Sequence, residues 1–492
     1  MNSFYDYLSQ ILPQDYVAHL QPLIDKIPDD AQQDALYAVE KNISHLKQKT
    51  TEIEVIFTFL HMYLRYYCGD LGITPWKDIQ ILEPNEIPHL DTLSPETIAK
   101  GHAMVQHVGI LKLNGGLGTT MGCSGPKSAI KIFGNDTFLD IIAAQVITLR
   151  ETYQAPFPLV FLNSFNTVDE TKAILKDKID YFDIIQHEFP RILSETKLPF
   201  IFSDNPKKEW APPGHGDALL SLITSGVAQQ LVDHGITHLM ISNSDNLGPS
   251  FDPGILGHMI ENNIDFLVET TSKTAADVKG GTIIRLNDKY SLLERTQIDR
   301  EHYAQFEDPT LFHMFNTNNV WLSLPALLTL SAVHKLALPL IVNPKNVEAT
   351  DVVQLESAIG SAISLFENSG VILVPRNRFL PVKKTSDLLI ILSDLVQSDR
   401  THKTLIFDRS SLTHSYPDIQ FDDRKSTLPG FWETFEEIPS ISDLTTLKLS
   451  GPITFGPNVV LKGSVTLETA MDCPIRIDNQ VLENINKKYT RS

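Results

Sequence analysis

The densest set of chemistry-bearing residues is the string LKLNGGLGTTMGCSGPKSAI, residues 111–130. Gly115, Gly116, Gly118, Gly122 and Gly125 let the backbone approach a ligand with no Cβ in the way. Successive N–H groups of such a loop can line a concavity that takes an anion. Lys127 adds a mobile positive charge at the far end, so these residue types suit a polyphosphate. The spacing differs from that of two other phosphate cradles. A Walker-type loop has glycine directly before its lysine, and here Pro126 stands there; proline also removes a backbone donor. A dinucleotide fingerprint needs GxGxxG opening into a helix. After Gly116-Leu117-Gly118 come Thr119, Thr120 and Met121, so the third glycine falls one place late.

Other candidates lie far along the chain. Asp245 in HLMISNSDN follows an apolar strand, and two readings of it stand side by side. It can hold Mg²⁺ against a triphosphate while water completes the coordination, or it can close an Asx-turn. Lys383 follows a proline turn in RFLPVKKTSDLL, next to Lys384; a lysine there is either a phosphate contact or a solvated charge. His215 sits in the rigid loop APPGHGD, where a lone histidine is more often a hydrogen-bond partner than a catalyst. Cys68, Cys123 and Cys473 are far apart and form no CxxC pattern. That argues against a disulfide framework and a zinc site and fits a reduced, cytoplasmic setting. Cys123 reads as a packing residue.

These residues need a scaffold. Short apolar runs recur at VGILKL (108–113), PLVFLN (158–163), THLMISN (237–243), DFLVETT (265–271) and LPLIVN (338–343). Helix-like stretches lie between several of them, such as NDTFLDIIAAQVITLRETY and GHGDALLSLITSGVAQQLVDHG. That alternation predicts an α/β fold with a mostly parallel sheet covered on both faces. Ligands then bind beyond the carboxyl ends of the strands, where the glycine string and Asp245 fall. Three parts are expected: a helical region 1–95, a catalytic domain 96–407 and a C-terminal part 408–492. The first rests on AQQDALYAVEKNISHLKQKTTEIEVIFTFLHMYLRYY, with helix-like apolar spacing and no proline or glycine. The last repeats short β-like steps, TTLKLSG, PITFGPN and VVLKGSV, at a roughly hexapeptide period. That suits a few parallel β-helix coils, with a small antiparallel sheet as the alternative.

Composition sets outer limits. The chain has 492 residues, 42% hydrophobic and 21% charged, so a buried core and more than one domain are expected. A net charge of −19 argues against a nucleic-acid partner, yet a few converging lysines can reverse the potential in one cleft. The N-terminus lacks the basic start and apolar run of a secretory signal. Leu324 to Val342 is apolar but holds Pro325, His334, Lys335 and Pro339, and reads as buried helix, loop and strand rather than a membrane span.

Many separate blocks, in order, resemble the eukaryotic-type UTP–glucose-1-phosphate uridylyltransferase family. They are LKLNGGLGTTMGCSGPKS, PLVFLNSFNT, EFPRI, PPGHGD, SNSDNLG, DVKGGT, FNTNNVW, IVNPK, RFLPVKKTSDLL and SGPITFGPNVVLKGSV. The resemblance implies a Rossmann-like nucleotidyltransferase core, a helical N-terminal region and a small C-terminal left-handed parallel β-helix. It implies Mg²⁺-dependent, reversible transfer of uridylyl from UTP to glucose 1-phosphate, giving UDP-glucose and pyrophosphate. On this resemblance Leu113, Asn114, Gly115, Gly116, Lys127, Gln186, Gly214, Asp245 and Lys383 hold the nucleotide, and Gln186 reads the uracil edge. Asp245 is the metal ligand, and Lys127 and Lys383 are the catalytic charges. His215, Asn243, Gly281, Glu294, Phe315, Asn316 and Asn318 hold the sugar phosphate; amides and a carboxylate suit sugar hydroxyls. Lys279 and Lys345 are secondary phosphate candidates.

The chain departs from the family pattern at three places: Ser124 replaces a lysine, Lys384 a threonine, and His187-Glu188 follow Gln186 in place of the usual pair. Rival expectations are a broad-specificity UDP-sugar or UDP-N-acetylhexosamine pyrophosphorylase, or a non-catalytic nucleotide-binding scaffold. The polar tail INKKYTRS favours a monomer or small homo-oligomer over a large ring-like assembly.

Overall fold

The computed structural model describes residues 4–123, 125–274, 277–332, 336–399, 404–406, 417–470 and 473–489. Ser124, His334, Lys335 and the 407/408 boundary lie outside them. Four helices open the chain: α1 (Phe4–Ile11), α2 (Gln14–Ile24), α3 (Gln32–Leu46) and α4 (Ile53–Tyr67). The expected helical run breaks between α3 and α4, where the Thr50 hydroxyl accepts the Glu52 N–H at 3.1 Å. Such local side-chain bonding competes with helix. From Cys68 to Ser94 the chain makes only short turns and a two-residue strand, so the helical part is shorter than expected. α4 is apolar almost all round, the signature of a central helix. Its Phe59, Leu60 and Tyr63 share one core with Phe189, Ile192, Trp210, Leu220, Leu340 and Val353 of the main body.

The main body is built on a seven-stranded sheet. Its strands are β1 (Val108–Asn114), β2 (Leu159–Asn163), β3 (Phe182–Ile185), β4 (His238–Asn243), β5 (Phe266–Ser272), β6 (Met314–Ser323) and β7 (Ser369–Leu373). The order is β7-β5-β6-β4-β1-β2-β3. Every pairing is parallel except those of β6, which runs antiparallel to both neighbours. β1 and β2 are buried throughout, as their continuous apolar runs require.

Helices cover both faces. One carries α5 (Phe138–Tyr153) and α6 (Pro253–Glu261); the other carries α7 (Asp217–Thr224). A capping box starts α5, with the Thr137 N–H donating to Asp140 at 2.8 Å and the Asp140 N–H to Thr137 at 3.3 Å. The helical stretch after APPGHG is interrupted at Gly226, whose φ is +73°. LPLIVN contributes a strand, Ile341–Val347, but to a separate antiparallel sheet with Thr350–Glu356 and Ile192–Leu193. Leu324–Ala332 is a short helix, and no helix among the described residues is long and apolar enough to cross a membrane.

In the C-terminal part, Asp418–Phe421, Leu444–Ser450, Val460–Thr469 and Val481–Tyr489 stack in parallel, and Ile453–Phe455 pairs in parallel with Ile475–Ile477. The antiparallel alternative therefore does not hold for these strands. Phe435, Leu447, Phe455, Leu461 and Val465 continue the core that holds α5, α6 and the 385–392 helix.

Register brings the site together. Leu113 pairs with Asn243, Asn114 with Asn163, and Asn163 with Ile185, so four strands end on one rim. An open α/β sheet binds its ligands at that rim.

Candidate active site

Asn114 ends β1 as a buried tie. Its Nδ2 donates to Asn163 Oδ1 at 2.7 Å and to Thr171 Oγ1 at 2.9 Å, and its Oδ1 accepts from Ser244 Oγ at 2.7 Å. The side chain thus braces the loop mouth, and a ligand would meet the backbone beyond it. The Leu113 carbonyl accepts the Ser244 N–H at 3.0 Å. The glycine string then folds back on itself. Gly118 N–H donates to Gly125 O at 3.2 Å and Lys127 N–H to Gly116 O at 3.1 Å, which returns Lys127 to the loop mouth. Gly115 leaves room for Gln186 here, because a Cβ would sit 2.2 Å from Gln186 Oε1 and displace that amide. Gln186 Nε2 in turn donates to Gly214 O at 3.0 Å.

The lysine and the carboxylate meet. Lys127 Nζ lies 2.8 Å from Asp245 Oδ2, with both side chains largely shielded from solvent. Asp245 does not close an Asx-turn. Asn246 does that work, its Oδ1 accepting Gly248 N–H at 3.2 Å and Leu380 N–H at 2.8 Å. The Val382 N–H donates to the Asp245 carbonyl at 3.0 Å, which sews the 380–383 segment beside the carboxylate. Thr120 of the glycine loop donates to the Lys383 carbonyl at 3.2 Å. Lys127 and Asp245 are therefore paired, and the backbone of Lys383 lies beside them.

The second carboxylate oxygen, Asp245 Oδ1, is buried with no hydrogen-bond partner. Such an atom is costly to leave unmatched and suits a cation. Among the described residues no group of three or more His, Cys, Asp or Glu could hold a metal. The unmatched Asp245 oxygen fits Mg²⁺, which takes one or two carboxylates and completes its shell with water and substrate phosphate.

Across from Lys383 lies a polar pocket. Asn318, at φ +62°, donates its Nδ2 to Asn243 Oδ1 at 2.9 Å. Its N–H reaches Asn316 Oδ1 at 3.0 Å, and the Asn316 N–H reaches Gly281 O at 2.8 Å. A Cβ on Gly281 would be 2.6 Å from Glu294 Oε1, so this glycine lets the carboxylate in. Burial pushes the Glu294 carboxyl up to about 7 although Lys383 pulls it down. Lys383 Nζ stands 6.0 Å from the Phe315 ring centre and 5.9 Å from that of Phe379.

His215 accepts the Ile359 N–H on Nδ1 at 3.0 Å, so Nε2 carries the proton. Burial lowers its pKa to about 4. The ring is thus a neutral donor at ordinary pH, suited to a phosphate oxygen and not to acid catalysis. Lys279 and Lys345 are exposed.

Some site-forming groups escaped sequence reasoning. Lys112 is buried on β1 and donates to Ser242 Oγ at 2.8 Å; burial lowers it to about 8. Beneath the cleft Glu269 takes Arg378 at 2.7 and 2.9 Å and the Trp321 N–H at 2.8 Å. A lysine inside VGILKL and a glutamate inside DFLVETT are charges set in apolar runs, and that was the available signal.

Known proteins share this sequence pattern and this fold. The family model for UTP–glucose-1-phosphate uridylyltransferase matches residues 57–462. A UTP–glucose-1-phosphate uridylyltransferase of Hordeum vulgare is 41% identical over 434 residues, covering 87% of this chain and 91% of that protein. A second such enzyme, of Dictyostelium discoideum, is 38% identical over 415 residues, covering 82% of each. A crystal structure of a mutant UDP-glucose pyrophosphorylase from Leishmania major, in complex with UDP-glucose, superposes with a TM-score of 0.84 at 31% identity. The superposition covers 92% of this chain and 99% of that one. The matched stretch contains the glycine loop, Asp245, Asn243, Asn316, Asn318 and Lys383, and so the chain belongs to the UTP–glucose-1-phosphate uridylyltransferase family, a family of nucleotidyl-transferring enzymes.

Proposed function

We propose that this chain joins UTP and glucose 1-phosphate to give UDP-glucose and pyrophosphate, reversibly and with Mg²⁺. The observation that carries the reading is the convergence of Lys127, Asp245 and Lys383 at the mouth of the glycine loop. A sugar phosphate is already anionic and needs no general base. The barrier is alignment and charge repulsion, which positioned cations lower. Leu113, Asn114, Gly115 and Gly116 offer backbone to the nucleotide phosphates, and Lys127 neutralises them. Gln186 and Gly214 hold the base. Lys383 covers developing negative charge from the opposite rim. Asn243, Gly281, Glu294, Phe315, Asn316 and Asn318 seat the sugar, and His215 donates to its phosphate. Asp245 would hold Mg²⁺, which when bound supplies charge neutralisation and orientation of the phosphate oxygens.

The finer architecture belongs to the same proposal. The parallel C-terminal coils form a left-handed β-helix, and the chain divides into parts 1–95, 96–407 and 408–492. The protein works in the cytoplasm as a monomer or small homo-oligomer. The test is pyrophosphate release from UTP with a panel of sugar 1-phosphates, with and without Mg²⁺. Preference for glucose 1-phosphate is expected. Equal use of galactose 1-phosphate or N-acetylglucosamine 1-phosphate would replace it with the broader reading. Nucleotide binding without any pyrophosphate exchange would leave a scaffold.

A further inference from the structure

His187 follows Gln186 at the end of β3 and is locked to the loop that carries Gly214 and His215. Two groups of this one residue meet one carboxylate: the His187 N–H donates to Asp217 Oδ2 at 2.8 Å, and ring Nδ1 lies 2.9 Å from Asp217 Oδ1. The far ring nitrogen, Nε2, is 3.1 Å from Thr224 Oγ1. Thr224 Oγ1 also reaches the Leu220 carbonyl at 3.1 Å. Nδ1 faces a carboxylate and so donates to it, which seats the ring against the first turn of α7. Ser221 Oγ donates to the same Asp217 at 2.8 Å. Burial pulls the His187 pKa down, but the Asp217 carboxylate outweighs it and the net shift is upward. The other charges near this dipeptide are Glu52 and the Glu188–Lys49 pair, closed at 2.9 Å.

The consequence concerns its neighbour. Gln186 bridges two loops, packing over Gly115 and giving one amide hydrogen to Gly214 O at 3.0 Å. Its second hydrogen and its carbonyl oxygen form a donor–acceptor edge whose orientation depends on where β3 ends. That end is held by the Gln186 N–H on the Asn163 carbonyl at 2.8 Å and by two adjacent straps, Gln186 to Gly214 and His187 to Asp217. Neither His187 group needs to touch a ligand to set the angle of the amide.

We propose that His187 is a positioning residue for nucleobase selection, holding Gln186 at the orientation that accepts uracil and rejects cytosine. Uracil presents an N–H at N3 and a carbonyl at C4; cytosine presents an acceptor at N3 and an amine at C4. A fixed amide separates these patterns, and a swivelling amide fits both. The inference rests on the proposed role of Gln186 in the uridylyl-transfer reading.

The experiment compares wild type with His187→Ala and His187→Asn. The asparagine keeps an N–H donor toward Asp217. For His187→Ala, KM for UTP should rise about tenfold and the UTP-over-CTP ratio of kcat/KM should shrink about tenfold, the scale of one charge-assisted hydrogen bond. Both kcat and the KM for glucose 1-phosphate should stay within about twofold, and His187→Asn should recover most of the lost selectivity. An unchanged UTP KM and ratio in folded His187→Ala overturns the proposal. So does an equal rise in both substrates' KM, which marks general damage. If wild type makes no UDP-glucose, the functional reading itself fails, and that is seen before any variant is made.

Discussion

At Lys383 the backbone is pinned from two sides, by the Thr120 hydroxyl on its carbonyl and the Asp387 carboxylate on its N–H at 2.7 Å, while its ammonium reaches toward the ring of Phe315. Lys383→Ala should lower turnover by roughly two to three orders of magnitude, the cost of losing one positioned electrostatic group. Steady-state pyrophosphate release measures it, and near wild-type turnover would move the role to Lys384. Glu294 makes a second residue-scale prediction. Its folded pKa of about 7 lies above the ordinary 4.5, so the folded chain holds the extra proton between those values. Stability from this group is present at the acid end and declines as pH rises through about 7. Glu294→Gln removes that slope, so its melting temperature should gain on wild type between about pH 5 and pH 8. Scanning calorimetry at the two pH values checks it; parallel curves would mean the carboxyl titrates normally. The residue scale is also where the sequence was most legible. Lys127, Asp245 and Lys383 were singled out from motif and position, and the structure sets Lys127 against Asp245. The strap from His187 to Asp217 was not, because it joins residues thirty positions apart through two bonds to one carboxylate, which no local pattern encodes.

Among the elements, α4 ties the N-terminal helices to the site-bearing body. Phe59 is fully buried and meets Phe189, two residues after His187, at a ring separation of 5.3 Å and a 78° angle. Phe59→Ala should destabilise the fold by about 3–5 kcal/mol, read as a shifted denaturant midpoint. A change below about 1 kcal/mol would mean the helices are only loosely docked. Element identity followed from periodicity where burial was simple: VGILKL and PLVFLN are central strands, and NDTFLDIIAAQVITLRETY carries the expected helix. Membership of a sheet was harder. LPLIVN has the composition of a central strand, yet pairs in a side sheet, since apolar character signals burial and not a partner. Breaks were harder still, because the Thr50 and Gly226 interruptions depend on single local bonds and one backbone angle.

For the whole molecule, one apolar cluster runs from α5 and α6 through the 385–392 helix into the parallel C-terminal coils. A shared core couples its parts, so the catalytic sheet and the coils should unfold in one calorimetric transition. Two resolved transitions would show that the 408–492 part is a separate unit energetically as well as in sequence.

The closed pair between Lys127 and Asp245 has one more consequence at this scale. On a molecule of net charge −19, the cleft's loop lysine does not stand idle as a bare magnet for anions. A solitary inorganic ion must compete with an internal carboxylate for it. A nucleotide arriving with its own divalent counter-ion offers the lysine and the aspartate new companions at the same moment. On the proposed function, loading then resembles ion exchange rather than simple attraction.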